Sequence, residues 1–468
     1  MSMVLKPYPQ YKDSGLPWLG RIPAHWDEKR AKYAFREVDD RSDSGNEELL
    51  SVSHITGVTP RAQKNVTMFM AESYAGHKLC RPGDLVINTM WAWMGALGIA
   101  RQAGIVSPSY AVYGPIGPDS FVPDFVDRLL RTPAYVAEYR SRSTGIRSSR
   151  LRLYPEQFLD IRLAHPSLEE QRQIVGFLSA FERAARRFVS AKRRLIELLN
   201  EQKQAIIQGA VTRGLDANVR LKPSGIDWLG DVPHHWRLRR LKHLVININD
   251  QADKQREEGK YLALEHVESW TGRIRAPEGM VAFESQVKRF AAGDILFGKL
   301  RPYLAKVARP AFPGVCVGEF LVLRPIESEV APAFIEQKLR SPQVINIVNS
   351  STFGAKMPRA DWSFIGGLTI SFPPAAGEQN AVLEWVRKET ACFDIGIERT
   401  AQEIRLIREY RERLFADVVT GRLDVRGVVL PTEDESLEAV LFNEEPAEEA
   451  PEDSEEFQAR KEVADADE

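Results

Sequence analysis

Cysteine is scarce in this sequence, and its few cysteines lie far apart. The 468 residues include only Cys80, Cys316 and Cys392, with no CxxC pair. A disulfide scaffold and a cysteine-based zinc site are therefore excluded. The same usage favours a reducing, cytoplasmic compartment.

Long hydrophobic runs are also missing. The longest uncharged stretch, residues 85–100, has sixteen residues and includes Asn88 and Thr89. A membrane span needs about 20 mostly apolar residues. A buried strand followed by a turn explains this stretch better, so we expect no membrane association.

The motifs that would indicate an enzyme are absent. No GxGxxG follows a predicted strand, neither HExxH nor GxSxG occurs, and the histidines lack metal-ligand spacing. The Asn-Pro-Pro-Tyr or Asp-Pro-Pro-Tyr sequence that amino-methyltransferases use at a flipped base is missing too. Residues 293–299 match the first seven positions of a phosphate-binding loop, but Leu300 stands where a magnesium-binding hydroxyl is needed. We therefore predict no catalytic site, metal or cofactor in this chain.

An excess of one charge appears only when the chain is divided. The net charge is −2, but residues 431–468 contain 16 acidic and two basic residues. The remaining 430 residues carry 61 basic and 49 acidic groups. A basic body favours polyanionic partners, although an ordinary solvated surface would give the same composition. The acidic tail has little apolar content and is predicted to be disordered.

The chain is an internal duplication. Residues 12–32 and 222–242 are identical at 11 of 21 positions. Glu170 and the glutamine after it recur as Glu378 with its own glutamine. A unit of about 200 residues is therefore present twice.

Each copy is predicted to have two parts. The first is rich in glycine, proline and short apolar runs, which is typical of a mixed domain with an irregular sheet. The second is a long helix: residues 167–212 contain no proline, and Ser167 with Glu170 forms a capping box after Pro166. The predicted fold class is α/β (mixed α+β), with two globular domains and two long helices.

Apolar residues recur along both helices at alternating spacings of three and four. This heptad pattern favours a coiled coil in which the two helices pair antiparallel. Cofactor binding and ordinary core packing are the alternatives. The predicted seam comprises Ile174, Leu178, Phe181, Phe188, Leu195, Leu199 and Ile206 in the first helix and Phe393, Ile397, Ile404, Ile407 and Leu414 in the second.

Basic and aromatic residues cluster at matching places in the two copies. Such side chains on glycine- and hydroxyl-rich turns suit phosphate contacts and base-edge reading in DNA. Exposed, salt-rich loops are the alternative. The candidate DNA-binding residues are Trp91, Trp93, Arg147, Arg150 and Arg152 in the first copy and Lys299, Arg301, Lys356 and Arg359 in the second.

Several longer stretches carry a family resemblance. They are SGLPWLGRIPAHW and SGIDWLGDVPHHW, GDILFGKLRPYLAKV, GEFLVLRP, GAKMPRADWSFI, and SRLRLYPEQF followed by HPSLEEQRQIV. Together they touch both halves and cover most of residues 12–424. In this combination the sequence resembles the specificity subunit of type I restriction–modification enzymes.

The resemblance implies a non-catalytic subunit with two target-recognition domains, each reading one half of an asymmetric bipartite DNA site. The two helices would act as a spacer and as a docking surface for two modification subunits, and restriction subunits would complete the complex. S-adenosylmethionine and ATP would bind to those partners.

The corresponding boundaries are 1–166 for target-recognition domain 1, 167–215 for spacer helix 1, 216–374 for target-recognition domain 2, 375–425 for spacer helix 2, and 426–468 for the acidic disordered tail. Two other functions stay open. One is a single-chain restriction nuclease with an unrecognised active site, and the other is a coiled-coil scaffold without a DNA role.

Overall fold

The computed structural model describes residues 5–63, 73–117, 120–145, 151–252, 260–275, 287–326, 329–354 and 357–428. The chain divides into unit 1, residues 1–189 with 405–468, and unit 2, residues 190–404. Each unit contains a mixed α/β body and part of two long helices, α4 (Leu168–Arg213) and α8 (Ala376–Val419).

In unit 1, short strands and turns are followed by short helices, as its glycine and proline content predicts. The helices are α1 (Pro123–Leu130), α2 (Pro133–Arg142) and α3 (Pro155–Leu159). Each begins at a proline, whose fixed φ and missing N–H suit the first helical turn. The strands are β1 (Tyr11–Asp13), β2 (Arg21–Pro23), β3 (Asp27–Arg30), β4 (Phe35–Val38), β5 (Leu50–Ser53), β6 (Gly57–Pro60), β7 (Lys78–Cys80), β8 (Leu85–Asn88), β9 (Leu97–Ile99), β10 (Gly104–Val106), β11 (Tyr110–Pro115) and β12 (Arg162–His165).

Unit 2 repeats this order of elements. Its short helices are α5 (Pro332–Arg340), α6 (Pro342–Ser350) and α7 (Trp362–Gly367), the last capped by Asp361, which accepts the Ser363 N–H at 2.7 Å. The strands are β13 (Leu221–Pro223), β14 (Asp231–Pro233), β15 (Arg237–Arg240), β16 (Val245–Ile248), β17 (Gln251–Ala252), β18 (Lys260–Leu262), β19 (Val287–Phe290), β20 (Ile295–Gly298), β21 (Val307–Ala308), β22 (Gly314–Val317), β23 (Phe320–Pro325) and β24 (Thr369–Phe372).

The order of the strands confirms the internal duplication. The four-stranded sheet β4-β11-β8-β9 of unit 1 corresponds to β16-β23-β20-β21 of unit 2. The antiparallel pairs β1–β2 and β3–β12 correspond to β13–β14 and β15–β24. The fold class is mixed α/β, as predicted.

Each unit has its own apolar core, centred on one of the repeated tryptophans. Trp26 in unit 1 and Trp236 in unit 2 are both almost completely buried. Trp26 meets Phe125 edge to face at 6.3 Å, and Trp236 meets the equivalent Phe334 at 6.1 Å. Full burial of a phenylalanine contributes about 1.5–3 kcal/mol, so the repeated aromatics are core residues of each body.

The start of α4 is tied to the body of unit 1 by Glu170. This carboxylate accepts hydrogen bonds from Tyr8 Oη (2.7 Å) and Trp26 Nε1 (3.0 Å) and contacts His25 Nε2 at 2.8 Å. The neighbouring Gln171 accepts the backbone N–H of the residue before α1 at 2.9 Å. The repeated Glu-Gln pair is therefore a structural anchor.

The same anchor begins α8 in unit 2, with one partner fewer. Glu378 contacts His235 Nε2 at 2.9 Å and accepts Trp236 Nε1–H at 2.9 Å. Within the described residues of unit 2, no tyrosine takes the place of Tyr8. The Glu378 side chain is accordingly 33% exposed, compared with 7% for Glu170.

Within unit 1, α4 and α8 pack through Glu182. Its carboxylate lies 2.9 Å from Arg411 of α8, 3.4 Å from Arg128 of α1 and 3.2 Å from Arg186 of its own helix. Burial alone would raise the pKa of Glu182, but the three guanidinium groups hold it below its ordinary value. Phe181 packs beside these pairs, against Tyr410 and Phe415.

Within unit 2, the two helices are joined by Lys203–Asp394 and Lys192–Glu403, each pair at 2.6 Å. The residue with the higher number in α4 pairs with the residue with the lower number in α8, so the two helices are antiparallel, as predicted.

The predicted seam residues differ in burial. Ile174, Leu178, Ile404 and Leu414 are buried, whereas Phe181, Leu199, Ile206, Phe393, Ile397 and Ile407 are partly buried. Phe188 and Leu195 are 40% and 39% exposed, so the heptad pattern did not place these two side chains in a buried seam. Near Leu195, the Lys192–Glu403 ion pair joins the two helices.

Candidate nucleic-acid interface

In each unit, three loops meet at one end of the four-stranded sheet. The first loop follows β8 or β20, and the second precedes β11 or β23. The two loops lie at the same end of the sheet because β8 and β11, like β20 and β23, are antiparallel neighbours. The third loop joins α2 to α3, or α6 to α7. We call this arrangement the three-loop surface. It comprises residues 89–96, 107–109 and 143–154 in unit 1 and residues 299–306, 318–319 and 351–360 in unit 2, with residues 146–150 and 355–356 outside the described structure.

Backbone hydrogen bonds and one threonine hydroxyl hold the three loops of unit 1 together. The Leu153 N–H donates to Thr89 O at 2.9 Å, and Thr89 Oγ1 donates to Ser109 O at 2.8 Å. Thr144 and Arg152 exchange two backbone hydrogen bonds of 3.0 Å. Residues far apart in sequence thus form one surface.

Among the described residues of this surface in unit 1, the large exposed side chains include two aromatic ones. Trp91 is 41% exposed and Tyr154 is 49% exposed. Trp93 is partly buried and donates its indole N–H to Met90 O at 2.9 Å. Arg152 is exposed, with Nη2 3.9 Å from Met90 Sδ. The predicted residues Trp91, Trp93 and Arg152 therefore share one surface.

The bond between the first and third loops and the pair within the third loop recur in unit 2, whereas the first and second loops are joined there by a backbone donor instead of a side-chain hydroxyl. The Ala360 N–H donates to Lys299 O at 2.9 Å, and the Lys299 N–H donates to Glu319 O at 3.0 Å. A further bond of 2.8 Å joins the Arg301 N–H to Pro358 O. The predicted turn at residues 299–301 is thereby placed directly against the predicted loop that contains Arg359.

The side chains of unit 2 are more strongly charged. Lys299 is partly exposed, Arg301 is exposed, and Arg359 forms a 2.7 Å ion pair with Glu319. Tyr303, Phe353 and Met357 add exposed apolar surface, with 44%, 64% and 56% of each residue accessible. This mixture offers cations to phosphates and flat or apolar groups to bases.

The backbone of the unit 2 turn is strained. Arg301 and Ala305 have left-handed φ values of 50° and 48°, which cost about 1–3 kcal/mol each in a residue with a Cβ. Such conformations persist only where surrounding hydrogen bonds determine the turn. The three other predicted residues, Arg147, Arg150 and Lys356, lie outside the described residues.

Two curated proteins have sequences similar to this chain. The specificity subunit of the type I restriction enzyme EcoDI from Escherichia coli is 22% identical over 286 residues, or 56% of this chain and 63% of that protein. The specificity subunit of the type I restriction enzyme MjaVIII from Methanocaldococcus jannaschii is 24% identical over 289 residues, or 58% and 64%. The matches thus span less than two thirds of these relatives.

The fold is similar to a solved chain from work on the structural basis underlying complex assembly and conformational transition of the type I R-M system. The similarity has a TM-score of 0.55 at 16% identity and covers 85% of this chain and 98% of the other. No family model matches the sequence. This chain is similar to type I specificity subunits.

The specificity-subunit-like sequence contains site residues that its motifs did not reveal. Glu319 was missed because one carboxylate before a strand gives no signal until the fold brings it to Arg359. Tyr154, Phe353 and Met357 were missed because exposure cannot be read from residue type. Alignment of the two repeats, which pairs Ser109 with Glu319, is the signal that could have drawn attention to the second loop.

Three further observations concern chemistry in this specificity-subunit-like chain. Residues 295–298 form strand β20, and Asp294 is bound by Arg324 at 2.7 and 2.8 Å, so the partial phosphate-loop match is an ordinary turn and strand. All three cysteines are free. In the part of the chain that the structure describes, no group of three or more His, Cys, Asp or Glu side chains could hold a metal ion, and no helix is long and apolar enough to cross a bilayer.

Proposed function

We propose that this chain is the DNA-recognition subunit of a type I restriction–modification complex and reads an asymmetric bipartite site. One observation carries the proposal: the backbone bond between the first and third loops and the backbone pair within the third loop recur in both units, whereas the described side chains differ. Two domains that recognise different half-sites require a similar backbone arrangement that presents different side chains to the bases.

The two surfaces would use different chemistry. Unit 1 offers Trp91 and Tyr154, whose rings suit stacking or apolar contact with bases. Unit 2 offers Lys299 and Arg301, which make no ion pair within the described residues and suit phosphate oxygens. The excess of basic groups over residues 1–430 supports a polyanionic partner.

The long helices would dock two modification subunits, and restriction subunits would join the complex. Exposed apolar side chains on both helices support docking: Leu195, Leu198, Ile395 and Leu406 are 39–55% exposed. Methylation, ATP use and cleavage would belong to the partners, so this chain would be non-catalytic. The free cysteines fit a cytoplasmic complex of this kind.

The proposed recognition domains retain the boundaries 1–166 and 216–374, with the spacer helices at 167–215 and 375–425. The residues beyond them, including the acidic stretch after residue 430, would belong to neither reader.

The test is selection of bound sequences from a randomised duplex library by the full chain, followed by the same selection with altered loops. Phe353→Ala should change the preferred motif in one half-site and Trp91→Ala in the other. Changes spread over both half-sites would contradict separate readers. Magnesium-dependent cleavage by the chain alone would favour the nuclease alternative, and failure to bind any duplex at low salt would favour the scaffold alternative.

A further inference from the structure

The ion pair between Arg359 and Glu319 lies within the three-loop surface of unit 2. Arg359 Nη2 is 2.7 Å from Glu319 Oε1, and the two side chains are 45% and 24% exposed. The backbones of both residues are fixed as well. Arg359 exchanges hydrogen bonds of 3.0 and 3.2 Å with Phe353, and Glu319 O accepts the Lys299 N–H. The guanidinium group is therefore held at one nitrogen while part of it faces solvent.

The equivalent position in unit 1 lacks this support. Arg152 corresponds to Arg359, because each takes part in the matching backbone pair of the third loop, with Thr144 or Phe353. Glu319 corresponds to Ser109, since each accepts a hydrogen bond through its carbonyl from the first loop. Within the described residues Arg152 has no carboxylate partner. Among the described residues of the two surfaces, the arginine supported by a carboxylate is thus found in unit 2.

We propose that Glu319 positions Arg359 to read a guanine in the half-site recognised by unit 2. The inference rests on the proposed function and adds to it the identity of one base and the roles of Arg359 and Glu319. Arg359 would donate two N–H groups to guanine O6 and N7, the commonest specific contact in the major groove. Glu319 would not touch the DNA, so it is a positioning residue.

The chemistry of the guanidinium group favours this assignment over a phosphate contact. Arginine has five N–H donors in a planar fork, and one bond to Glu319 leaves enough donors for a bidentate contact. The fork also matches phosphate, but a phosphate contact depends more on positive charge, which the adjacent carboxylate partly cancels. Lys299 and Arg301, which lack such a partner in the described structure, are better suited to phosphates.

A carboxylate near DNA has two effects that can be separated by experiment. Its charge repels phosphates, so its loss should raise affinity for every duplex alike. Its hydrogen bond fixes the guanidinium direction, so its loss should weaken discrimination at one base pair. If Glu319 only repels, general affinity changes while preference stays constant. If it positions Arg359, preference changes as well.

The experiment is selection from a randomised duplex library by the full-length wild type, Glu319→Ala, Glu319→Gln and Arg359→Ala, followed by binding to single-base variants of the selected site. Ser109→Ala is the matched control, because it alters the same loop position in unit 1. Random-duplex affinity and thermal unfolding are measured for every variant.

Arg359→Ala should reduce the preference for G·C at one position of the unit 2 half-site by about 5- to 100-fold. Glu319→Ala should reduce preference at that same position while affinity for random DNA stays equal or rises. Glu319→Gln retains an acceptor oxygen and should restore part of the preference. Ser109→Ala should leave the unit 2 half-site unchanged.

Two results would overturn the inference while leaving the proposed function intact. One is a wild-type bipartite motif that Arg359→Ala, still folded, selects unchanged. The other is a Glu319→Ala variant that binds all sequences more tightly with every base preference preserved. A wild-type chain that selects no motif at all would instead contradict the proposed function itself.

Discussion

Lys338 provides the sharpest test of the energetics of unit 2. It lies on α5 with no exposed surface, and its ammonium donates to Val211 O at 2.9 Å and to Ser371 Oγ at 3.1 Å. It has no carboxylate partner among the described residues. Leu129 occupies the equivalent, equally buried position in unit 1. Lys338 therefore bonds a carbonyl near the end of α4 and a strand hydroxyl at the cost of burying a cation.

Burial lowers the pKa of Lys338 from its ordinary value of 10.5 to about 7. Between these two values the unfolded chain holds the proton more tightly than the folded chain does, so the free energy of unfolding rises with pH. The penalty is complete below the folded pKa and absent above the unfolded pKa. Because one pKa unit corresponds to about 1.4 kcal/mol, unit 2 should gain about 2 kcal/mol between pH 7 and pH 9.

The perturbation is Lys338→Met, which keeps the unbranched shape and removes the titrating group. Urea unfolding at pH 7, 8 and 9 gives the difference in unfolding free energy between wild type and variant. That difference should shift by about 2 kcal/mol in favour of the wild type over this range. Leu129→Met is the control, because a similar change in unit 1 removes no charge.

A wild-type-minus-variant difference that stays constant between pH 7 and pH 9 would refute this reasoning. It would mean that Lys338 titrates outside this range, for instance because water reaches the ammonium group.

Three other predictions address the helices and the tail. Glu182→Gln should lower the stability of unit 1 by about 1–3 kcal/mol at neutral pH, as measured by urea unfolding. Because the pKa of Glu182 is lowered in the folded chain, this difference should persist above about pH 4.5 and fade as the pH drops through the folded pKa. Leu199 of α4 packs against Gly396 of α8, with its Cδ1 3.5 Å from where a Cβ on that glycine would be. Leu199→Asp places an unpaired charge at this contact and should weaken the proposed 2:1 complex with modification subunits in analytical ultracentrifugation. A folded variant with full-strength assembly would count against the helix-pairing model. Deleting residues 431–468 should raise affinity for random DNA at low salt without changing the preferred motif, because these acidic residues would shield the basic body from DNA. Equal affinities of the two chains for random DNA would reject this shielding.

The sequence by itself determined the duplication, the mixed fold class and the two long helices. It did so because these depend on local and periodic signals: repeated tryptophans, prolines at helix starts, a capping box and a sustained heptad pattern. The Glu-Gln repeat was also visible in the sequence. Its purpose was not, because Glu170 meets Trp26 and His25 across about 145 residues of chain.

Only the tertiary structure decided which side chains share a surface and which charges are paired. Lys299 and Arg359 are 60 positions apart, and sheet register and backbone hydrogen bonds bring their loops together. Phe188 and Leu195 fit the heptad, yet remain exposed, because burial depends on what the opposite helix presents at that level. Glu319 and Lys338 are ordinary surface-type residues in sequence. The fold gives one an arginine partner and the other an interior without a counter-charge.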